Sequence, residues 1–492
     1  MKSAKPWMSK YSGVPLPGRI PANVGPRRKI LPPFMLPTVA VCYLLFGLGD
    51  NALLALVAIV VLLLGCALLW RPGETPILPF IFVYQWLQAS LGLFYANWRG
   101  LNIDQLFIFG GNTQLAVVLC LAGLFSLAAG MRLGAGRSFS GEVELARRTA
   151  QEQPQSRFIL LYVAALVIAT VAQASAFALP GLRQPLLALA DLKWAAFFIL
   201  TFATFVRRDS SRILWCAAFL IELAMSFGGY YSSFKFVFLF TLTALVAAHI
   251  RLTVRKTLVL AFFGTVLITF GLVWTAVKVE YRSFVSGGQV SQAVVVDYSQ
   301  SVEKIIDLVS TLDDEKMDKA ATDLIERITY VDYFAAVLTY VPSIVPHEDG
   351  ALWLDAIIRP FMPRLFFPEK EIIDDSTLTN KYIGFHVAGM EQATTITIGY
   401  MGESYIDFGM FGMMVPIFAL GLLLGLIYRW LMLHRNSHGI FGMGLSTAVI
   451  METASDLGNS AAIMFGAIIV SVLVAWLLIS YAAPNVFPAM RK

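Results

Sequence analysis

Arg282, Arg327, Arg359 and Arg364 stand within one polar interruption, residues 278–395, that separates two blocks of apolar segments. Glu403 and Asp407 follow where the chain turns apolar again. Guanidinium groups stay charged, and their planar forks pair bidentately with phosphate oxygens. A carboxylate close to such cations can take the proton from a hydroxyl as a new bond forms. Together these residue types suit a site that handles an anionic, lipid-borne substrate. A connection of this length is not needed to join two helices, and long connections commonly carry function.

The elements that must position these residues are membrane helices. Mean hydropathy is +0.70, and 58% of residues are hydrophobic against 14% charged, whereas a soluble domain carries about a quarter charged residues. A helical span needs about 20 predominantly apolar residues to cross the hydrocarbon core. Twelve such blocks emerge, at 31–48, 52–70, 77–96, 112–131, 158–179, 185–206, 213–228, 234–250, 257–277, 410–431, 441–454 and 461–481. The fold class expected is therefore an all-α polytopic membrane protein with about twelve transmembrane helices. Its organisation reads as a 1–30 tail, helices 1–9 over 31–277, a large partly helical loop at 278–409, and helices 10–12 over 410–492.

Lys and Arg gather in connectors on the cytoplasmic side of a membrane. The tail carries Lys2, Lys5, Lys10, Arg19, Arg27, Arg28 and Lys29, and every second connector after it is basic, through Arg71, Arg132 to Arg157, Arg207 to Arg212, Arg251 to Lys256, and Arg429 with Arg435, as is the terminal pair Arg491 and Lys492. The connectors between them hold only Arg99, Arg183 and Lys235. This alternation puts both termini in the cytoplasm and the interruption on the outer face. The net charge of +5 is thus a topology signal. Its basic residues form no stripe interleaved with aromatics, so no nucleic-acid partner is expected. The tail lacks a small-residue cleavage site and reads as retained.

Cys42, Cys66, Cys120 and Cys216 all fall in apolar blocks, so no disulfide framework is expected in the loop. His249, His347, His386, His434 and His438 show no metal-ligand spacing, and no phosphate-binding glycine loop occurs. Neither a metal nor another cofactor is implied. The acid pairs Asp313–Asp314 and Asp374–Asp375 read as solvated loop residues. Asp191, Lys193, Glu222 and Lys235 fall in or beside spans, where charge needs a partner; Glu222 is expected to pair with a neighbouring helix, and Glu452 and Asp456 to line the same cavity as the loop residues.

Helical spacing of Val302, Ile305, Ile306 and Val309, and again of Leu324, Ile325, Ile328, Val331 and Leu338, predicts amphipathic helices over 301–312 and 318–340. The apolar stretch 353–367, broken by Arg359, Pro360, Pro363 and Arg364, is expected to lie at the membrane interface.

The run FMPRLFFPEK from Phe361 to Lys370, the segment holding Thr379, Asn380 and Tyr382, and GYMGESYIDFGMFG from Gly399 to Gly412 resemble the bacterial oligosaccharide repeat-unit polymerases, the O-antigen polymerase or Wzy-type family. The resemblance covers the later third in sequence and the whole chain in architecture. It implies a metal-independent glycosyltransferase of GT-C-like fold in the bacterial inner membrane. Such an enzyme transfers a growing glycan from undecaprenyl diphosphate en bloc to the next lipid-linked repeat. It also implies partners, namely a chain-length-regulating co-polymerase, a flippase and membrane lipid.

A diphosphate leaving group needs its developing charge stabilised, and guanidinium groups supply this without a metal. Arg282 and Arg364 are assigned to that role, with Arg327, Arg359 and Lys370 in support. Glu403 is the first candidate for the base, with His386 and Glu391 as alternatives, and Asp407 and Tyr405 as motif neighbours. Lys235 stands where the family often carries an arginine. The plainer alternatives are that an interfacial arginine contacts ordinary lipid phosphate and that Glu403 anchors a helix start. A secondary transporter or flippase would show related halves, and no internal duplication is found. An O-antigen ligase shares donor and arginine logic and is the nearer rival.

Overall fold

A computed structural model describes residues 35–71, 73–106, 111–207, 209–226, 233–248, 254–288, 294–362, 367, 369–370, 374–387 and 395–486. Arg364, Glu391, His249, Arg251, Arg491, Lys492 and the 1–30 tail lie outside them. Every regular element among the described residues is helical.

A helix stands at each of the twelve apolar blocks. Eight are long and apolar enough to cross a membrane, namely Ala52–Leu69, Ile77–Arg99, Thr113–Ala135, Gln155–Ala176, Arg183–Val206, Phe262–Val285, Met414–Leu433 and Ala461–Val486. The protein is thus an all-α membrane-embedded chain. Met35–Phe46, Arg212–Met225, Phe234–Ala247 and Ile440–Ala454 are shorter, at 12, 14, 14 and 15 residues. Large apolar side chains such as Leu53, Leu160 and Ile213 point outward, as lipid contact requires.

The closest helix pair is Thr113–Ala135 against Met414–Leu433. Gly130 and Gly134 on one helix meet Gly421 and Gly425 on the other, each pair four residues apart. A methyl group at Gly134 would sit 2.2 Å from the Leu422 carbonyl oxygen, and one at Gly421 would sit 2.2 Å from that of Leu127. In hydrocarbon, association rests on such close backbone approach because burial from water contributes little.

The helix predicted to end at residue 277 continues to Val285, so Arg282 lies in its last turn and not beyond it. Val277, Tyr281 and Val285, spaced by four, are buried along one face against Tyr298–Ser310 and Asp314–Ile328, which extends the helix past the apolar block. The second amphipathic segment divides into Asp314–Ile328 and Val331–Tyr340, because Thr329 is extended. Ala351–Ile358 packs on Ala461–Leu477, with Trp353 edge-on to Phe465 at 5.7 Å, and turns Leu354, Ile357 and Ile358 outward.

The segment expected to open the tenth span is a separate helix, Gly399–Gly412, in which Gly409 adopts φ 68° and ψ −173°. That left-handed residue breaks the helix before Met414–Leu433, a conformation a glycine adopts without steric cost. Glu403 and Asp407 therefore precede the span on an element of their own.

Candidate functional site

The turn at 455–460, between Ile440–Ala454 and Ala461–Leu477, organises the site. Two glutamines on the spanning helix Ile77–Arg99 hold it. Gln85 Nε2 donates to the Ala454 carbonyl at 2.7 Å, Gln88 Nε2 donates to that of Ser455 at 2.8 Å, and Gln88 Oε1 accepts from the Leu457 amide at 2.9 Å. Buried amides among apolar helices must find such partners. The Gly399–Gly412 helix joins the same knot, its Tyr400 amide donating to the Asn459 carbonyl and its Tyr400 hydroxyl to Gln85 Oε1, both at 2.8 Å. Tyr330 completes it, since its hydroxyl donates to the Ile398 carbonyl and accepts from the Gly402 amide at 3.1 Å. Neither glutamine was singled out from sequence, although polar side chains on an apolar helix were the available signal.

On one side of this knot two carboxylates converge on the start of Ala461–Leu477. Glu403 is 4% exposed and accepts the Ala461 amide at 2.7 Å. Asp375, also 4% exposed, is bonded to the Ser460 hydroxyl. Burial pushes the Glu403 carboxyl up to about 8, opposed by the Ala461 bond and reinforced by the charges of Asp375 and Asp407. Burial also raises Asp375, with the Ser460 bond and the Arg359 charge acting against it.

Both carboxylates open on a cavity of about 350 Å³ between Ala351–Ile358 and Asp375–Ile383, whose wall also includes Asp355, Arg359, Asp374 and Lys381. Asp355 Oδ2 accepts from Arg359 Nε at 2.8 Å. Lys381 is held by Glu348 at 2.7 Å, and Tyr382 donates to the same Glu348 oxygen at 2.6 Å. Lys370 Nζ donates to the Arg359 carbonyl at 2.6 Å and so secures the backbone of the Arg359 turn. The reading of Asp374 and Asp375 as solvated is corrected. Asp374 caps the Asp375–Ile383 helix and, with Asp375, faces the cavity, because the following helix packs that end of the pair inward. Lys381 was likewise missed.

Other candidates have structural partners. Asp407 accepts the amides of Leu352 and Trp353 at 3.2 and 2.8 Å, capping Ala351–Ile358. Its four-residue spacing from Glu403 thus sends the two acids to two different helix starts. Tyr405 donates to the Val341 carbonyl at 3.0 Å. His386 is exposed, 3.1 Å from the Asn380 side-chain nitrogen, and is not part of the cavity wall. Lys235 lies 5.3 Å over the Phe236 ring and within electrostatic reach of Glu452. Glu222 pairs with Lys193 at 2.6 Å and accepts from Tyr162 at 3.0 Å, the interhelical pairing its depth requires. Glu452 and Asp456 part company: Glu452 faces Asp191, Lys193 and Lys235, whereas Asp456 neighbours Arg327.

On the other side of the knot lie Lys278, Arg282 and Arg327. Crowding by protein lowers the Arg327 guanidinium from its ordinary value, and the Arg282 charge lowers it further, with Asp456 opposing. Three cations in mutual reach form a local field that favours an anion. Arg327 is three residues before Tyr330, whose hydroxyl binds the residue next to Glu403. A three-residue stretch of backbone and one hydrogen bond thus link Arg327 to the helix that carries Glu403.

Fold and site define a membrane-embedded helical protein with a polar chamber built at one end of its bundle. Residues 112–483 match the model of a family described as "Domain of unknown function (DUF8712)", and the chain belongs to that family. No curated protein and no solved structure matches it.

Proposed function

We propose that this chain is a polysaccharide polymerase of the Wzy type, a glycosyltransferase acting on undecaprenyl-diphosphate-linked glycans in the bacterial inner membrane. In this reading the eight long spans, the three shorter apolar helices and Arg212–Met225 give twelve crossings in a GT-C-like arrangement. Both termini are then cytoplasmic and the chamber faces the periplasm. The observation that carries the proposal is the buried Glu403 carboxylate opening on a 350 Å³ cavity that also presents Arg359 and Lys381.

The step is a displacement at the anomeric carbon of the donor's first sugar. The acceptor hydroxyl oxygen forms the new bond to that carbon, and the bond from the carbon to the diphosphate oxygen breaks. Undecaprenyl diphosphate leaves with the electron pair, and the hydroxyl proton passes to Glu403 in its ionised form, the minor form at neutral pH, so that turnover rises as pH approaches about 8. Arg282 and Arg327, with Lys278, hold the departing diphosphate, where charge-assisted donors contribute most as negative charge develops. Arg364 lies outside the described residues and keeps only the diphosphate role assigned to it from sequence. The chain-length co-polymerase and flippase are the partners such an enzyme works with.

Profiling of carrier-linked glycan in a deletion strain tests the proposal. Accumulated single repeats are expected. Accumulated full-length polymer on the carrier would instead assign the chain to ligation, and an unchanged profile would remove it from the pathway.

A further inference from the structure

The cavity is too acidic for a diphosphate. Of its charged side chains, Arg359 is matched by Asp355 and Lys381 by Glu348, at 2.8 and 2.7 Å. Asp374 and Asp375 remain on the wall beyond those pairs, while Glu403 holds its proton at neutral pH. An entering anion would therefore meet a wall with surplus carboxylates, whereas Lys278, Arg282 and Arg327 keep a surplus of one cation over the neighbouring Asp323 and Asp456. Like charges brought together at a binding surface weaken binding unless a partner neutralises them, which separates the two places by ligand charge. The volume, about 350 Å³, lies at the small end of ligand pockets and leaves room for a terminal sugar rather than a chain. Its wall offers what sugar hydroxyls need, with acceptors on Asp374 and Asp375 and donors on Arg359 and Lys381.

We propose that this cavity binds the nonreducing-end sugar of the acceptor, and that this sugar carries no acidic substituent, being either neutral or an amino sugar. The assignment rests on the polymerase reading for the word acceptor, but the charge preference rests on the wall alone. The acidic wall and the cationic cluster thus favour ligands of opposite charge.

The test is saturation-transfer NMR on the full detergent-solubilised chain with methyl glucoside, methyl glucosaminide and methyl glucuronide at neutral pH. The first two are expected to saturate, and the glucuronide to bind about tenfold more weakly or less. Thr377, an exposed residue of the cavity wall, supplies the controls. Thr377→Trp should abolish transfer to the two binding sugars, and Thr377→Lys should raise glucuronide binding toward theirs. The inference is overturned if the glucuronide binds as well as the others, if none of the three saturates, or if Thr377→Trp changes nothing. A failed polymerase reading would show differently, as an unchanged glycan profile in the deletion strain whatever the binding order.

Discussion

The Ala461 amide donates to the Glu403 carboxylate at 2.7 Å, tying the acid proposed as the base to the first turn of a spanning helix. The same contact makes Glu403 measurable without any substrate. Its folded value, about 8, stands above the ordinary 4.5. Below pH 4.5 both folded and unfolded chains hold the proton, and no penalty exists. Between 4.5 and 8 the unfolded chain ionises while the folded chain keeps the proton, so stability falls as pH rises and levels off above 8. Glu403→Gln has no such proton. Its thermal midpoint relative to the native chain should climb from pH 5 to pH 8 by the equivalent of a few kcal/mol, on the order given by the linkage relation. A difference independent of pH would show that Glu403 is ordinarily ionised.

Arg282→Ala should lower polymer formation roughly 10²- to 10³-fold, the usual loss on removing one transition-state donor, with the protein still inserted. Arg282→Lys should lose most of the activity as well, because an ammonium cannot reproduce a bidentate fork. Polymer ladders from membranes of the two variants check this. Native-like chains from the lysine variant would reduce Arg282 to a general attractor of lipid phosphate.

Gly421→Ala should destabilise the bundle by about 1–3 kcal/mol, the range for overpacked cores. Its methyl would collide with the Leu127 carbonyl oxygen at 2.2 Å. Gly466→Ala, in a helix where the added methyl meets nothing within 4 Å, serves as the control and should be neutral or slightly stabilising. Thermal midpoints in detergent separate the two, and equal midpoints would contradict the glycine seam.

Glu222→Ala removes the carboxylate that pairs with the Lys193 ammonium at 2.6 Å and leaves it only the less direct charges of Asp191 and Glu452. Breaking such a pair costs about 3–5 kcal/mol, while replacing both partners with apolar residues is often tolerated. The yield of folded protein should therefore collapse in Glu222→Ala and recover in Lys193→Met with Glu222→Leu, polymer formation included. Loss of polymer in a well-folded double variant would give the pair a chemical role.

Much of the fold was legible because apolar length is a strong signal: all twelve blocks are helical, eight of them long enough to span, although 185–206 and 410–431 are each divided between two helices. Ends were less so. The helix carrying Arg282 outran its apolar block because its last turns are buried by the insertion and not by lipid. Glu403 was readable from its motif, but its partner was not, since Ala461 lies 58 residues away and only the tertiary fold brings the two together. Asp375 and Lys381 were overlooked for a related reason. Adjacent acids and a lysine in a polar loop look solvated until the packing of the neighbouring helices shows that a wall is built from them. The glycine seam was in plain view as two four-residue spacings and needed only the membrane context to be weighed.

The most direct measurement places the purified chain in liposomes with lipid-linked single repeats extracted from the deletion strain. A ladder of longer carrier-linked glycans and release of undecaprenyl diphosphate in equal number to the bonds formed are expected, both absent with Glu403→Gln. Single repeats that persist unchanged beside correctly folded protein would contradict it.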